Sequence, residues 1–139
     1  MGTHRVALVR ILRRHAYLMT GTRTVGDEFV VRAFGGVGRS LLRDGGLAPA
    51  LRMLYRCLPR RAVSGGDAAV AALRSLPFLN RGAVILIVIQ NLSLIEAGYV
   101  LGIPADCVPD LLSVGRELVG LAQAATAPSA APPPPPPAT

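Results

Sequence analysis

The chain has 139 residues, of which 51% are hydrophobic and 4% aromatic, with no tryptophan and a formal net charge of +7. That length holds one ordinary domain or two small helical ones, with a core mostly of Leu, Val, Ile and Ala. It argues against a membrane-spanning helix, since the longest unbroken apolar run, Ala83 to Ile89, is far short of the roughly 20 residues a bilayer needs.

Residues 5 to 19 predict a first helix. Leu8, Ile11, Leu12, His15, Ala16 and Met19 recur at spacings of three and four and make one stripe, while Arg10, Arg13 and Arg14 share the opposite side as a basic ridge. His4 and His15 are not spaced to share a helical face, so no metal pair is expected. Arginines scattered among the apolar residues, with no small-residue cleavage site after them, argue against a signal peptide, and the protein is expected to be cytoplasmic.

Thr20 to Arg23 reads as a glycine-containing turn. Thr24 is the expected cap of a second helix, with Asp27 at the capping-box position and Glu28 near the positive end of the helix dipole. Phe29, Ala33, Val37 and Leu41 repeat every four residues along its inner side. Gly35, Gly36 and Gly38 each disfavour helix by roughly 1 kcal/mol relative to alanine, so a kink or frayed turn is expected there. The run Gly-Gly-Val-Gly-Arg-Ser lacks the preceding strand and the Gly-Lys-Ser/Thr ending of a phosphate loop, so it predicts no nucleotide site.

Asp44-Gly45-Gly46 is a turn, and Leu47 to Leu58 predicts a third helix with Leu51, Leu54, Tyr55 and Leu58 inward, stopped by Pro59. Residues 59–66 have no periodicity and end in Gly-Gly, which marks a linker. The expected organisation is therefore all-α: a helical subdomain over 1–58, a linker over 59–66, a second helical subdomain over 67–124, and a disordered Pro-rich tail over 125–139.

Asp67 can cap a short helix through Ser75, with Val70, Leu73 and Leu76 buried. Phe78 to Asn91 is apolar nearly all round and β-branched enough for a strand, but no second strand exists to pair with it, so it reads as a helix. Cys57 and Cys107 lie far apart with no further ligand pair and read as reduced thiols.

Residues 92 to 118 parse as two helices around a tight turn, a helix-turn-helix. Ser93 and Glu96 have capping-box spacing, Ile95, Ala97, Tyr99 and Val100 supply an apolar face, and Gly102 can end the helix in the left-handed region. Asp106 is the expected cap of the second helix, Pro109 falls in its first turn, and Val108, Leu111, Leu112, Gly115 and Leu118 form its buried stripe. The outward residues of this would-be recognition helix are Ala105, Asp106, Pro109, Asp110, Ser113 and Arg116. One base and two acids make a poor DNA reader, since phosphate and guanine contacts come mainly from Arg and Lys. The charge distribution agrees: through Arg61, 12 arginines face three acids, and from Ala62 onward three arginines face five acids. No carboxylate pair, nucleophile–histidine arrangement or metal constellation points to an enzyme, and no cofactor, membrane or small-molecule substrate is expected.

Several stretches resemble a known family. Leu76-Pro77, the apolar helix to Ile89, Leu92-Ser93 through Glu96-Ala97, and Val100-Leu101-Gly102-Ile103-Pro104 with Val108 are similar to region 4 of the extracytoplasmic-function sigma factors. Leu12-Arg13-Arg14, Leu18-Met19-Thr20-Gly21, Gly26-Asp27-Glu28-Phe29-Val30, Leu51 through Cys57, and Gly115-Arg116-Glu117-Leu118 resemble the sigma-like domain of PhyR-type response regulators. The resemblance covers about residues 5 to 122. It implies two helical subdomains, like sigma regions 2 and 4, in a transcription regulator of the general stress response: a sigma mimic that binds a NepR-like anti-sigma factor. Arg10, Arg13, Arg14, Asp27, Phe29 and Val30 would then meet the partner. The alternative it leaves is a divergent sigma factor that binds core RNA polymerase and promoter DNA. Val31-Arg32 stands where a sigma factor's polymerase-binding helix has Gln-Glu, which favours the mimic. PhyR proteins also carry a C-terminal receiver domain, whereas Pro132 to Pro137 stand here, so the resemblance leaves the means of switching open.

Overall fold

The computed structural model describes residues 2–35, 45–61 and 65–126, and every regular element among them is helical. The order is α1 (Gly2–Thr20), α2 (Arg23–Phe34), α3 (Leu47–Cys57), a 3-10 turn (Ala68–Val70) leading into α4 (Ala71–Arg74), α5 (Phe78–Val84) running on into a π-helical segment (Ile85–Ile89), α6 (Leu94–Leu101), a second 3-10 turn (Ala105–Cys107), and α7 (Val108–Thr126). The all-α class read from the sequence is what these residues form.

The stripe read on α1 is the buried one: Leu8, Leu12, His15, Ala16 and Met19 all lie inside and Ile11 is half-buried, with Arg10, Arg13 and Arg14 exposed. α1 packs most extensively on α2, and Gly26 is where they touch: a Cβ there would lie 2.9 Å from the carbonyl carbon of Ala16. The cap of α2 differs from expectation. Thr22, in extended conformation, accepts a hydrogen bond from the Val25 N–H and starts the helix two residues before Thr24. Thr20 donates its hydroxyl to the Ala16 carbonyl, which closes α1 just before that cap. α2 stops at Phe34, with Gly35 extended beyond it (φ −78°, ψ 138°), so the helix ends where a kink or frayed turn was expected. Val37, Leu41, the rest of the glycine-rich run and Asp44 lie outside the described residues, as does the Pro-rich segment from residue 127.

In α3, Leu51, Leu54, Tyr55 and the following Leu58 are buried as expected. One apolar cluster then continues past residues 59–66 without interruption. It includes Leu12, Leu51 and Tyr55 from the first half and Phe78, Ile85, Leu86, Val100 and Val108 from the second. Tyr55 is the hinge of this packing. Its ring meets His15 edge-on at 5.8 Å and Phe78 edge-on at 6.3 Å, and α3 packs along α6.

Asp67 does not cap by its side chain. It precedes the 3-10 turn, but its carboxylate accepts the Tyr17 hydroxyl at 2.8 Å, and its N–H donates to the Gly21 carbonyl. Phe78 to Ile89 is helical, with its last turn widened: Gln90 N–H reaches the Ile85 carbonyl and Leu92 N–H the Leu86 carbonyl. Asn91, with φ 60°, takes the left-handed conformation that ends it, one that asparagine tolerates better than most residues.

The α6 boundaries follow the sequence. Ser93 Oγ accepts from the Glu96 N–H while the Glu96 carboxylate accepts from the Ser93 N–H, and Gly102 stands at φ 73°. The apolar face of α6 is different from the one expected. Ala97, Val100 and Leu101 are buried, whereas Ile95 is 76% and Tyr99 41% exposed. In so short a helix only one i, i+3, i+4 set can face the core, and Ile95 with Tyr99, four apart, make the other face. Asp106 is likewise not the cap of α7. It sits inside the 3-10 turn that Pro104 opens, and α7 begins at Val108, with Pro109 in its first turn as expected. Val108 and Gly115 are buried and Leu111, Leu112 and Leu118 half-buried, in agreement with the predicted stripe.

Candidate functional site

Two surfaces carry the residues singled out from the sequence. The first is a basic cleft. α1 presents Arg10, Arg13, Arg14 and Tyr17, at the i, i+3, i+4, i+7 spacing of one helical face, and the first turns of α2 present Arg23 and Asp27. These six residues line a cavity of about 260 Å³. Arg13 donates from Nε and Nη2 to the two Asp27 oxygens at 2.9 and 3.0 Å, a fork-to-fork pair that raises the Arg13 pKa, first by the hydrogen bonds and then by the charge. Both partners are exposed, so the pair positions the α2 side of the cleft more than it stabilises the fold. The Arg23 guanidinium lies 5.2 Å from the Tyr17 ring centre. Tyr17 is held at its other end by Asp67, and donating to that carboxylate raises the phenol pKa. Arg10 and Arg14 neither hydrogen-bond nor ion-pair with any described residue.

The other residues of the expected partner set do not all join this cleft. Phe29 is half-buried, with the Arg32 guanidinium 5.1 Å from its ring. Val30 is buried in the core beside Ala33 and Phe34, so it cannot meet a partner directly. The helical period that puts Gly26 and Ala33 inward carries Val30 with them. Val31, next in the chain, is the exposed one at 71%.

The second surface is the outer side of α6 and α7. Asp106, Pro109, Asp110, Ser113 and Arg116 are exposed and Ala105 is half-buried, so the face has two carboxylates and one guanidinium, as read. α6 adds the exposed Ile95, Leu94 and Tyr99, the last with the Arg52 guanidinium 4.6 Å from its ring centre. Sequence reasoning placed Ile95 and Tyr99 in the core and so missed this apolar contribution. The signal was present in the four-residue spacing of the two.

Sequence reasoning put His15 on the buried stripe without its partners, and it missed a buried Arg81 altogether. His15 is 1% exposed, and its Nε2 donates to Gln90 Oε1 at 2.8 Å, which leaves Nδ1 to accept the Tyr55 hydroxyl at 2.9 Å. Burial pushes its pKa down to about 4, against the upward pull of the Gln90 bond, and the charge of Arg14 lowers it further. The imidazole is neutral at pH 7. Tyr55, buried throughout, is pushed well up by desolvation. Arg81 is 4% exposed and has no acidic partner in the described residues. Its guanidinium donates instead to the carbonyls of Met19, Arg74 and Leu76, at the C-terminal ends of α1 and α4. Burial, then the nearby Arg74, lowers its pKa.

Cys57 and Cys107 are free thiols, half-buried and exposed. Among the described residues no group of three or more His, Cys, Asp or Glu could hold a metal ion. No single described helix is long and apolar enough to cross a membrane; Ala68–Arg74 and Phe78–Ile89 reach that length and composition only together, across a 116° bend. Comparison with protein-family models and with curated proteins gives no match.

Proposed function

We propose that this chain is a protein-binding transcription regulator, a cytoplasmic sigma-factor mimic that captures an anti-sigma factor of the NepR kind in a stress-response partner switch. In this reading the first half corresponds to sigma region 2, the second half to region 4, and α6 with α7 to its helix-turn-helix. The observation that carries it is the outer face of the second 3-10 turn and the start of α7. Asp106 and Asp110 stand free to solvent where a promoter reader needs cations, so the face would repel phosphates rather than bind them. The exposed Val31 and Ile95 add apolar surface of the sort buried at the centre of protein interfaces.

A specific feature favours one other reading, a divergent extracytoplasmic-function sigma factor. Arg10, Arg13, Arg14 and Arg23 gather on one cleft, as a nucleic-acid contact would require. A pulldown of the tagged chain from its own cell extract, with bound proteins identified by mass spectrometry, separates the two. Recovery of a small helical anti-sigma protein without polymerase subunits is the expected result; recovery of core polymerase overturns the mimic. Reversing the charge of Arg10, Arg13 and Arg14 together should weaken the anti-sigma complex by ~1–3 kcal/mol, measured by calorimetry. An unchanged affinity would remove that ridge from the interface.

A further inference from the structure

The cleft between α1 and α2 has a chemistry of its own that does not rest on the anti-sigma reading, although Arg10, Arg13 and Arg14 serve in both. Four guanidinium groups and one carboxylate line it. The carboxylate is spent on Arg13, bonded through both oxygens. Arg10 and Arg14 have their donors free, and the Arg23 guanidinium lies over the Tyr17 ring. The arrangement therefore gathers uncompensated positive charge around one concavity, on side chains whose planar forks match phosphoryl oxygens. Its walls are held in place: the Arg13–Asp27 pair ties α1 to α2, and the Tyr17–Asp67 bond ties α1 to the segment before α4.

Size narrows the ligand. A cavity of about 260 Å³ falls just under the range of roughly 300–1,000 Å³ in which drug-sized molecules bind. It suits a compact anion. A single carboxylate brings one charge and each phosphoryl group about two, so two linked phosphoryl groups come closer than one to balancing the three positive charges of Arg10, Arg14 and Arg23. We infer that this cleft is a binding site for a diphosphate group, clamped by Arg10 and Arg14 from α1 and by Arg23 from α2, with Arg13 fixed by Asp27 as its wall. The group could come from free pyrophosphate or from the diphosphate of a nucleotide; the residues recognise the chemistry the two share.

The test is calorimetric titration of the full chain with sodium pyrophosphate at fixed ionic strength, beside ADP, sodium sulfate and a tetraglutamate peptide. Saturable 1:1 binding of pyrophosphate, clearly tighter than that of sulfate, is expected. Arg10→Gln with Arg14→Gln should weaken it by about tenfold or more for each arginine removed, the size of a charge-assisted hydrogen bond. Both side chains are exposed, so the variant should keep the parent's circular dichroism; Arg23→Gln provides an independent second variant from the other wall. Tighter binding of ADP than of pyrophosphate would assign the group to a nucleotide, and weaker binding to free pyrophosphate. The site is overturned by non-saturable binding, by sulfate or the peptide binding as tightly as pyrophosphate, or by both variants binding as the parent does.

Discussion

His15 shows how a single side chain couples stability to pH. Its imidazole is neutral in the fold because desolvation holds its pKa near 4, while in the unfolded chain it returns to about 6.5. With the folded value depressed, the unfolded state takes up the proton first as pH falls. The contribution of His15 is therefore complete above about pH 6.5 and is lost progressively down to about pH 4, a total of roughly 3 kcal/mol. Urea unfolding at pH 7.5, 6, 5 and 4 should show this loss, and His15→Gln should flatten the slope over that window even if it lowers stability throughout. A parent-like slope in the variant would place the acid sensitivity elsewhere. Arg81 makes the complementary case. Arg81→Met would remove the donor from the Met19, Arg74 and Leu76 carbonyls, and is expected to cost ~2–4 kcal/mol in urea unfolding, since each of those acceptors is left with less solvation than it had. A loss under ~1 kcal/mol would show that water takes over the role of the guanidinium.

At the scale of elements, the helix ends were largely written in local chemistry, and the helix contacts were not. Ser93, Glu96 and Gly102 announced both ends of α6, because a capping box and a left-handed glycine act within four or five residues. Thr22 was passed over for Thr24, two threonines with equal capping ability whose choice rests on how α1 ends at Thr20. Gly26 had no local signal at all. Its lack of a side chain lets α2 lie directly on the backbone of Ala16 and Tyr17. Gly26→Ala raises intrinsic helix propensity yet should destabilise the protein by ~1–3 kcal/mol, because the new methyl meets backbone that can move only with a whole helix. Thermal unfolding checks the sign: a higher midpoint would mean that the two helices separate easily.

For the whole molecule, the core that crosses residues 59–66 implies that the halves fold together. His15 reaches Gln90, Arg81 reaches Met19, and Tyr55 joins His15 to Phe78, so each half supplies buried groups that the other leaves unsatisfied. Residues 65–126 expressed alone should lack a cooperative urea transition, while the full chain unfolds in one step. A cooperative transition in the fragment would show that the second half has a sufficient core of its own. The same continuity bears on the proposed function, since partner contacts on α2 and on α6 then sit on one connected body.

By itself the sequence determined the helical class, most helix limits, the buried stripes of α1, α3 and α7, and the outward-facing acids Asp106 and Asp110. Each follows from spacing along the chain, and periodicity is a local property. Only the tertiary structure decided that Val30 is core and Val31 surface, and that Ile95 and Tyr99 face outward. It alone decided that Asp67 serves Tyr17 instead of a cap, that Arg81 is buried, and that His15 and Arg81 find partners far along the chain. The cleft of Arg10, Arg14 and Arg23 belongs to the same group: three ridge arginines were legible on α1, but its second wall comes from α2. The physical reason is common to all of these. A short apolar helix offers more than one face to the core, and a buried polar group is stable only where another element brings it a partner, so both outcomes are settled by packing between elements.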